Sequence, residues 1–413
     1  MKTSVKGFMF YVAFVASLGG LLFGFDTAVI SGAEKAIQGI YALSDFAHGF
    51  TIATALIGTI VGALVCGGPA ERYGRLRSLK VIAWLYLISA VGSAVIVNWY
   101  SFMFFRFVGG LAVGASSVVG PMYIAEISPS HWRGRFVAFF QFNIVLGIVI
   151  AYLTNYWIVG IPHDWQWMLG IEAVPALAFG LLLMTVPESP RWLLIRSRDA
   201  GAGDTGERLF RKKYFIPILL AFLISTFNQL TGINAILYYA PRLFEMSGVF
   251  REGAMMQSIV IGITNLTFTM LGMFLIDKVG RKKLIGVGAV GMFVSLVLVA
   301  RGFWLERFEG YYMLVCLMGY IAFFAVSLGA TIWVVISEVF PNSVRAKGQV
   351  LGSMTHWVWS ALLSWFFPVF LSVGGTYIFG FFALIALGSL IFAIKLPETK
   401  DKSLEQIQKE LVK

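Results

Sequence analysis

The sequence predicts an all-α membrane protein of twelve transmembrane helices, six in each of two related halves. Of its 413 residues 58% are hydrophobic and 13% charged, where a soluble domain carries about a quarter charged residues. Stretches of the ~20 apolar residues that a bilayer requires fall near 8–32, 46–68, 78–97, 100–124, 136–158, 165–186, 214–240, 255–276, 282–303, 311–337, 347–370 and 375–396. A charged grammar also recurs about 210 residues later in the chain. Glu126 and Arg133 in YIAEISPSHWRGR match Glu338 and Arg345 in WVVISEVFPNSVRAKG. A Gly-Arg loop precedes each pair, at 71–80 and 277–286, and a Pro-Glu turn follows each, in PESPRW and PETK. Duplicated membrane halves are a mark of transporters that rock around a central site.

Each element follows from its residues. Residues 1–32 form a permanent first span rather than a secretory signal, because the apolar stretch is long, holds Asp26 and lacks a small-residue cleavage site. Spans 2 and 4 carry Gly58-x-x-x-Gly62 and Gly110-x-x-x-Gly114. Such small residues let backbones approach where lipid gives no hydrophobic drive for association. The short 2–3 and 8–9 turns need glycine, and Arg75 and Arg281 follow it directly. In span 7, Gln229 and Asn234 share a face only if the helix breaks between them, which Thr231-Gly232 permits. In span 9, Gly286-x-Gly288-x-x-Gly291 mimics a dinucleotide fingerprint, but no strand precedes it, so these are packing glycines. Asn265-Leu-Thr267 fits a glycosylation pattern yet falls mid-membrane. The bounds expected are an N-terminal bundle at 1–190, a short polar linker at 191–213, a C-terminal bundle at 214–396 and a tail at 397–413. Leu404, Ile407 and Leu411 give that tail an amphipathic helical spacing.

The net charge of +11 does not imply nucleic-acid binding. Lys and Arg fall at the termini and in every second loop; the exceptions are Lys35, Arg106, Arg242, Arg251, Arg301 and Arg307. This is the positive-inside pattern for both termini cytoplasmic. Cys66 and Cys316 lie in spans of different halves, and four scattered histidines offer no ligand spacing, so neither disulfide, metal nor cofactor is expected. No nucleophile–base arrangement or phosphate loop survives scrutiny, which argues against an enzyme.

Asp26 lies near the middle of span 1, and Arg106 is the other strong charge well inside an early span. An intramembrane carboxylate is costly and functional by default; the alternative is a permanent salt bridge holding helices together. Glu172, in WMLGIEAVPA, is a third acid at the start of span 6 and reads as a helix-end carboxylate near the membrane surface.

Taken together, GGLLFGFDTAVISG, RFVGG, PESPRW, NQLTGINAILYYAP and the paired loop motifs resemble the sugar porter branch of the major facilitator superfamily, over nearly the whole chain. The resemblance implies two pseudo-symmetric six-helix bundles holding substrate between them near the midplane. It matches Asp26 and Arg106 to the proton-coupling pair of bacterial xylose-type symporters, with Glu172 as a possible relay. It implies that Glu126 and Glu338 meet Arg75, Arg281, Arg133 and Arg345 in a cytoplasmic latch; the alternative is static anchoring by positive charge. A sugar site needs amides for hydroxyls and aromatic walls for C–H faces. Gln141, Asn228, Gln229, Asn234, Asn265 and His356 would supply the polar groups, and Phe23, Tyr238, Trp333 and Trp357 the walls. Taken singly, each amide reads first as a helix–helix hydrogen bonder; their joint match to the family shifts that balance.

The departures from the family pattern bear on cargo. Asn228 replaces the first Gln of the usual pair, Ile148 replaces another Gln, and His356 stands where Gln or Asn is usual. Ser327-Leu328-Gly329-Ala330 lacks the usual span 10 proline, and the 6–7 segment is far shorter than in relatives, either by nature or by excision. The reading is a proton-coupled hexose or pentose importer of the bacterial inner membrane, working as a monomer on monosaccharide and protons. A facilitative uniporter and a non-transporting sugar sensor are its rivals.

Overall fold

The computed structural model describes every residue except 1, 97, 129–132, 198–207, 309, 342–343, 401, 403 and 412–413. The side chains of 2–6, 133–134, 195–197, 346, 404–405 and 408–409 also fall outside the description. Among the described residues every regular element is helical. In hydrocarbon, backbone groups must bond within their own segment, which selects helices or closed barrels.

Twelve helical spans are long and apolar enough to cross a membrane. Spans 1–6 are Gly7–Ile40, Asp45–Val65, Arg75–Val95, Trp99–Ile127, Arg135–Ile158 and Asp164–Leu182. Spans 7–12 are Lys212–Tyr238, Arg251–Val279, Arg281–Leu305, Tyr312–Val339, Lys347–Val373 and Gly375–Lys395. All twelve overlap the apolar stretches expected from the sequence. Span 1 runs further, to Ile40, because a helix stays helical past the point where hydropathy ends. That extension carries a buried pair the sequence reading did not single out, Glu34 Oε2 to His48 Nε2 at 2.6 Å.

The chain forms two compact units, one of Met1–Ala202 with Arg251–Gly262 and one of Gly203–Phe250 with Ile263–Lys413. In the first, spans 2 and 4 pack backbone on backbone. A Cβ at Gly110 would sit 1.9 Å from the Ala55 carbonyl oxygen, and one at Gly62 2.3 Å from that of Leu111. Spans 1 and 5 meet in the same way, Gly24 against Ile144 and Gly147 against Leu21. This second contact fixes the stretch of span 1 that carries Asp26. In the second unit a Cβ at Gly288 would meet Ser327 Oγ at 1.9 Å, so the span 9 glycines admit span 10.

Two spans of the second unit are interrupted. Span 7 ends its first helix at Leu230, passes Gly232 at φ +99°, and resumes as Ile233–Tyr238. Span 10 changes to a π-helix over Ala325–Gly329, where the expected proline is missing. A π segment widens the turn and frees backbone carbonyls, so it interrupts span 10 without proline.

Candidate functional site

In the first unit, Asp26 and Arg106 form a buried ion pair. Arg106 Nη1 donates to Asp26 Oδ1 at 2.5 Å, and Nη2 reaches Oδ2 at 3.4 Å and the Asp26 carbonyl at 3.5 Å. Glu172 is buried rather than at the surface. It lies within electrostatic reach of both Asp26 and Arg106. Span 6 is helical over Asp164–Gly170 and again over Ala173–Leu182, and Glu172 lies in the turn between. Two acids sharing one guanidinium can hold a proton that is released when the pairing changes. Deleting Arg106 would leave the buried acids without their cation, about 3–5 kcal/mol by analogy with other buried pairs.

In the second unit the polar residues of spans 7 and 11 form one chain of bonds. Gln229 Nε2 donates to Asn228 Oδ1 at 2.8 Å and lies 3.2 Å and 3.3 Å from the two ring nitrogens of His356. Asn234 Nδ2 donates to Gln229 Oε1 at 2.9 Å and to Ser360 Oγ at 2.7 Å. The break at Gly232 is what brings Gln229 and Asn234 onto one face. His356 stands between two indoles, 5.0 Å from Trp333 and 4.9 Å from Trp357 between ring centres. Trp357 and Tyr238 are buried, whereas Trp333 is 39% exposed. Asn228 is committed to the fold: its Nδ2 donates to the Leu328 carbonyl of the π segment at 3.1 Å. Asn265 lies outside this chain of bonds and accepts from Thr269 Oγ1 at 3.3 Å.

Phe23 and Gln141 belong to the first unit, both half-buried. No described group hydrogen-bonds the Gln141 side chain, whereas nearby Asn143 is committed to Ser17 Oγ at 3.1 Å and the Phe139 carbonyl at 2.9 Å.

The repeated charges build one network per unit. In the first, Arg75 Nε donates to Glu126 Oε2 at 3.0 Å and its Nη2 to Oε1 at 3.0 Å. Glu188 of the Pro-Glu turn accepts the backbone N–H of Arg75 at 3.0 Å and of Leu76 at 2.9 Å, capping span 3. Ser189 Oγ donates to Glu126 at 2.5 Å. In the second, Arg281 Nη2 donates to Glu338 Oε1 at 2.9 Å, and Glu398 caps Arg281 and Lys282 at 3.0 Å and 3.2 Å. Thr399 Oγ1 donates to Glu338 Oε2 at 2.6 Å. Gly74 and Gly280 have φ of +106° and +93°, and a Cβ at either would strike the capping carboxylate. The caps themselves were missed in the sequence, although the Pro-Glu turns that supply them were part of the repeat. Arg345 donates its Nε to the Phe340 carbonyl at 3.3 Å and makes no ion pair with Glu338 among the described residues. The Arg133 side chain lies outside the described residues.

Comparison with known proteins places this geometry. A family model described as "Sugar (and other) transporter" matches residues 12–211 and 202–411. The D-xylose-proton symporter of Escherichia coli K12 is 35% identical, with 98% of this chain and 96% of that protein covered. The arabinose-proton symporter of Bacillus subtilis is 34% identical over 100% of this chain and 97% of its own. The alignment with the former extends over 473 positions, more than this chain possesses, so part of that relative has no counterpart here. Among solved structures, the inward-open E. coli xylose transporter superposes with a TM-score of 0.86 at 34% identity, covering 98% of this chain and 100% of the other. Fold, repeat and whole-length similarity agree, and the chain belongs to the sugar porter family of the major facilitator superfamily.

Proposed function

We propose that this chain imports a monosaccharide together with protons by alternating access, as a multi-pass protein of the bacterial inner membrane with both termini cytoplasmic. The observation that carries the reading is the buried Asp26–Arg106–Glu172 cluster in the first unit. Protonation of Asp26 or Glu172 loosens the grip on Arg106, and sugar binding decides when the empty or loaded carrier changes access. Sugar hydroxyls bind Gln229, Asn234 and His356 in the second unit, with Trp333 as a stacking wall. Asn228 acts through the fold rather than on the sugar. The Arg75–Glu126 and Arg281–Glu338 networks brace their own bundles so that each moves as a body. The relatives are named for xylose, arabinose and glucose at nearly equal identity, so a hexose or a pentose fits equally.

Uptake into proteoliposomes tests the reading. An imposed inward proton gradient drives accumulation of labelled sugar in the wild type, and Asp26→Asn abolishes accumulation while labelled-sugar exchange persists. Undiminished accumulation in Asp26→Asn would favour the uniporter reading, and binding without uptake or exchange would favour a sensor.

A further inference from the structure

The acid cluster leaves two neighbouring hydroxyls unexplained. Tyr86 on span 3 and Ser116 on span 4 are buried to 0% exposure. Neither oxygen has a hydrogen-bond partner among the described residues. A buried unbonded hydroxyl costs free energy that phenylalanine or alanine in the same place would avoid, and such groups call for a reason.

Their surroundings supply one. The Tyr86 hydroxyl stands within electrostatic reach of Asp26 and Glu172 and near the Ser116 hydroxyl, though not in the geometry of a hydrogen bond. Ser89, one turn along span 3, lies on the same face. A Cβ at Gly109 would be 2.4 Å from Ser89 Oγ and 3.6 Å from Asp26 Oδ1, so this face looks onto the acid. Helical side chains tilt toward the N-terminus, which carries the Tyr86 ring from the level of Asp26 toward the Arg75 end of span 3. Ser116 follows Arg106 by ten residues, about 15 Å along span 4, in the direction of Glu126. The two hydroxyls therefore lie between the acids and the end of the unit that holds the Arg75–Glu126 network. The groups that act on the Tyr86 hydroxyl are Asp26 from span 1, Ser116 from span 4 and Glu172 from span 6.

We propose that Tyr86 and Ser116 form the relay by which the coupled proton leaves the acid pair toward the cytoplasm. The proton moves from the carboxylic acid to the phenol oxygen as the phenol's own hydrogen passes to a water bonded to Ser116. Tyr86 ends neutral, the acid becomes a carboxylate that pairs with Arg106, and the proton departs on water. The relay rests on the proton-coupled reading above.

The test uses the full chain in liposomes, comparing the initial rate of gradient-driven accumulation with the rate of labelled-sugar exchange, in H2O and in D2O. Tyr86→Phe removes one oxygen that bonds nothing among the described residues, and Ser116→Ala serves as the second variant should the first not reconstitute. Tyr86→Phe should lower the accumulation-to-exchange ratio at least about tenfold, in the range of a lost proton-transfer group, with Ser116→Ala lowering it less. The residual accumulation should be slowed more by D2O than in the wild type, because proton transfer has become the slow step. A packing defect would lower both rates together and leave the isotope effect alone. A wild-type ratio and isotope effect in both variants, with Asp26→Asn uncoupled, would overturn the relay and leave proton coupling standing. Accumulation that survives Asp26→Asn would instead remove the premise.

Discussion

In the first unit Arg75 grips both oxygens of Glu126, and the two side chains are 9% and 8% exposed. In the second, Arg281 reaches Glu338 through one nitrogen, with side chains at 11% and 19%, and its buried Nε bonds nothing described. Arg281 also divides itself, reaching Asp277 at 3.3 Å. The same sequence grammar thus yields one tight brace and one looser one. The polar interiors of the units diverge further. The first encloses an acid pair on a guanidinium, whereas the second encloses amides and an imidazole, with no charged side chain in the hydrogen-bonded chain among the described residues. Duplication supplied the frame, and divergence within it gave the two units different polar interiors.

That contrast can be broken experimentally, and the largest effect belongs to the tight brace. Glu126→Ala leaves Arg75 buried and unpaired and should cost about 3 kcal/mol of stability in the purified protein. Glu338→Ala should cost roughly half as much, since its partner is more exposed and has Asp277 in reserve. Thermal unfolding of the two variants in detergent measures both, and equal losses would show that the closer geometry of the first unit adds nothing. Next come the caps. Glu188→Ala and Glu398→Ala each remove a carboxylate from a helix N-terminus, for about 1 kcal/mol apiece, and the same melts would show it. A stability change no larger than that of the caps, about 1 kcal/mol, is expected for Asn228→Ala, which loses its bond to the Leu328 carbonyl and the one it accepts from Gln229 Nε2, while Gln229 keeps His356. Its signature is functional, a slower transport step with sugar affinity shifted less than in Gln229→Ala; the reverse order in a binding titration would restore Asn228 as a direct sugar ligand.

Much of this was legible in the sequence, and for reasons that can be named. Spans are set by apolar length, and the spans 2–4 contact by glycines four apart, so both follow from local composition. The Asp26–Arg106 pair was legible because two charges in a hydrophobic interior have few other partners. Glu172 was only half legible: its sequence position suits a helix end at the surface, and the turn that draws it inward depends on tertiary packing. Glu188 and Glu398 were visible as parts of a repeat, but a carboxylate that caps a helix more than a hundred residues away leaves no local signal. The π-helix of span 10 was hidden because the absence of proline gives no hint of another way to interrupt a helix. Asn228 matched a ligand position and proved to bond the backbone of that π segment.

The central claim is that the first unit governs the proton and the second chiefly the sugar. Counting protons taken up per sugar at saturating sugar, in proteoliposomes carrying a pH-sensitive dye, tests it most directly. The wild type and Gln229→Ala should share one stoichiometry while Gln229→Ala needs more sugar to half-saturate, and Asp26→Asn should move sugar with no proton. A changed ratio in Gln229→Ala, or an unchanged one in Asp26→Asn, would contradict the division of labour.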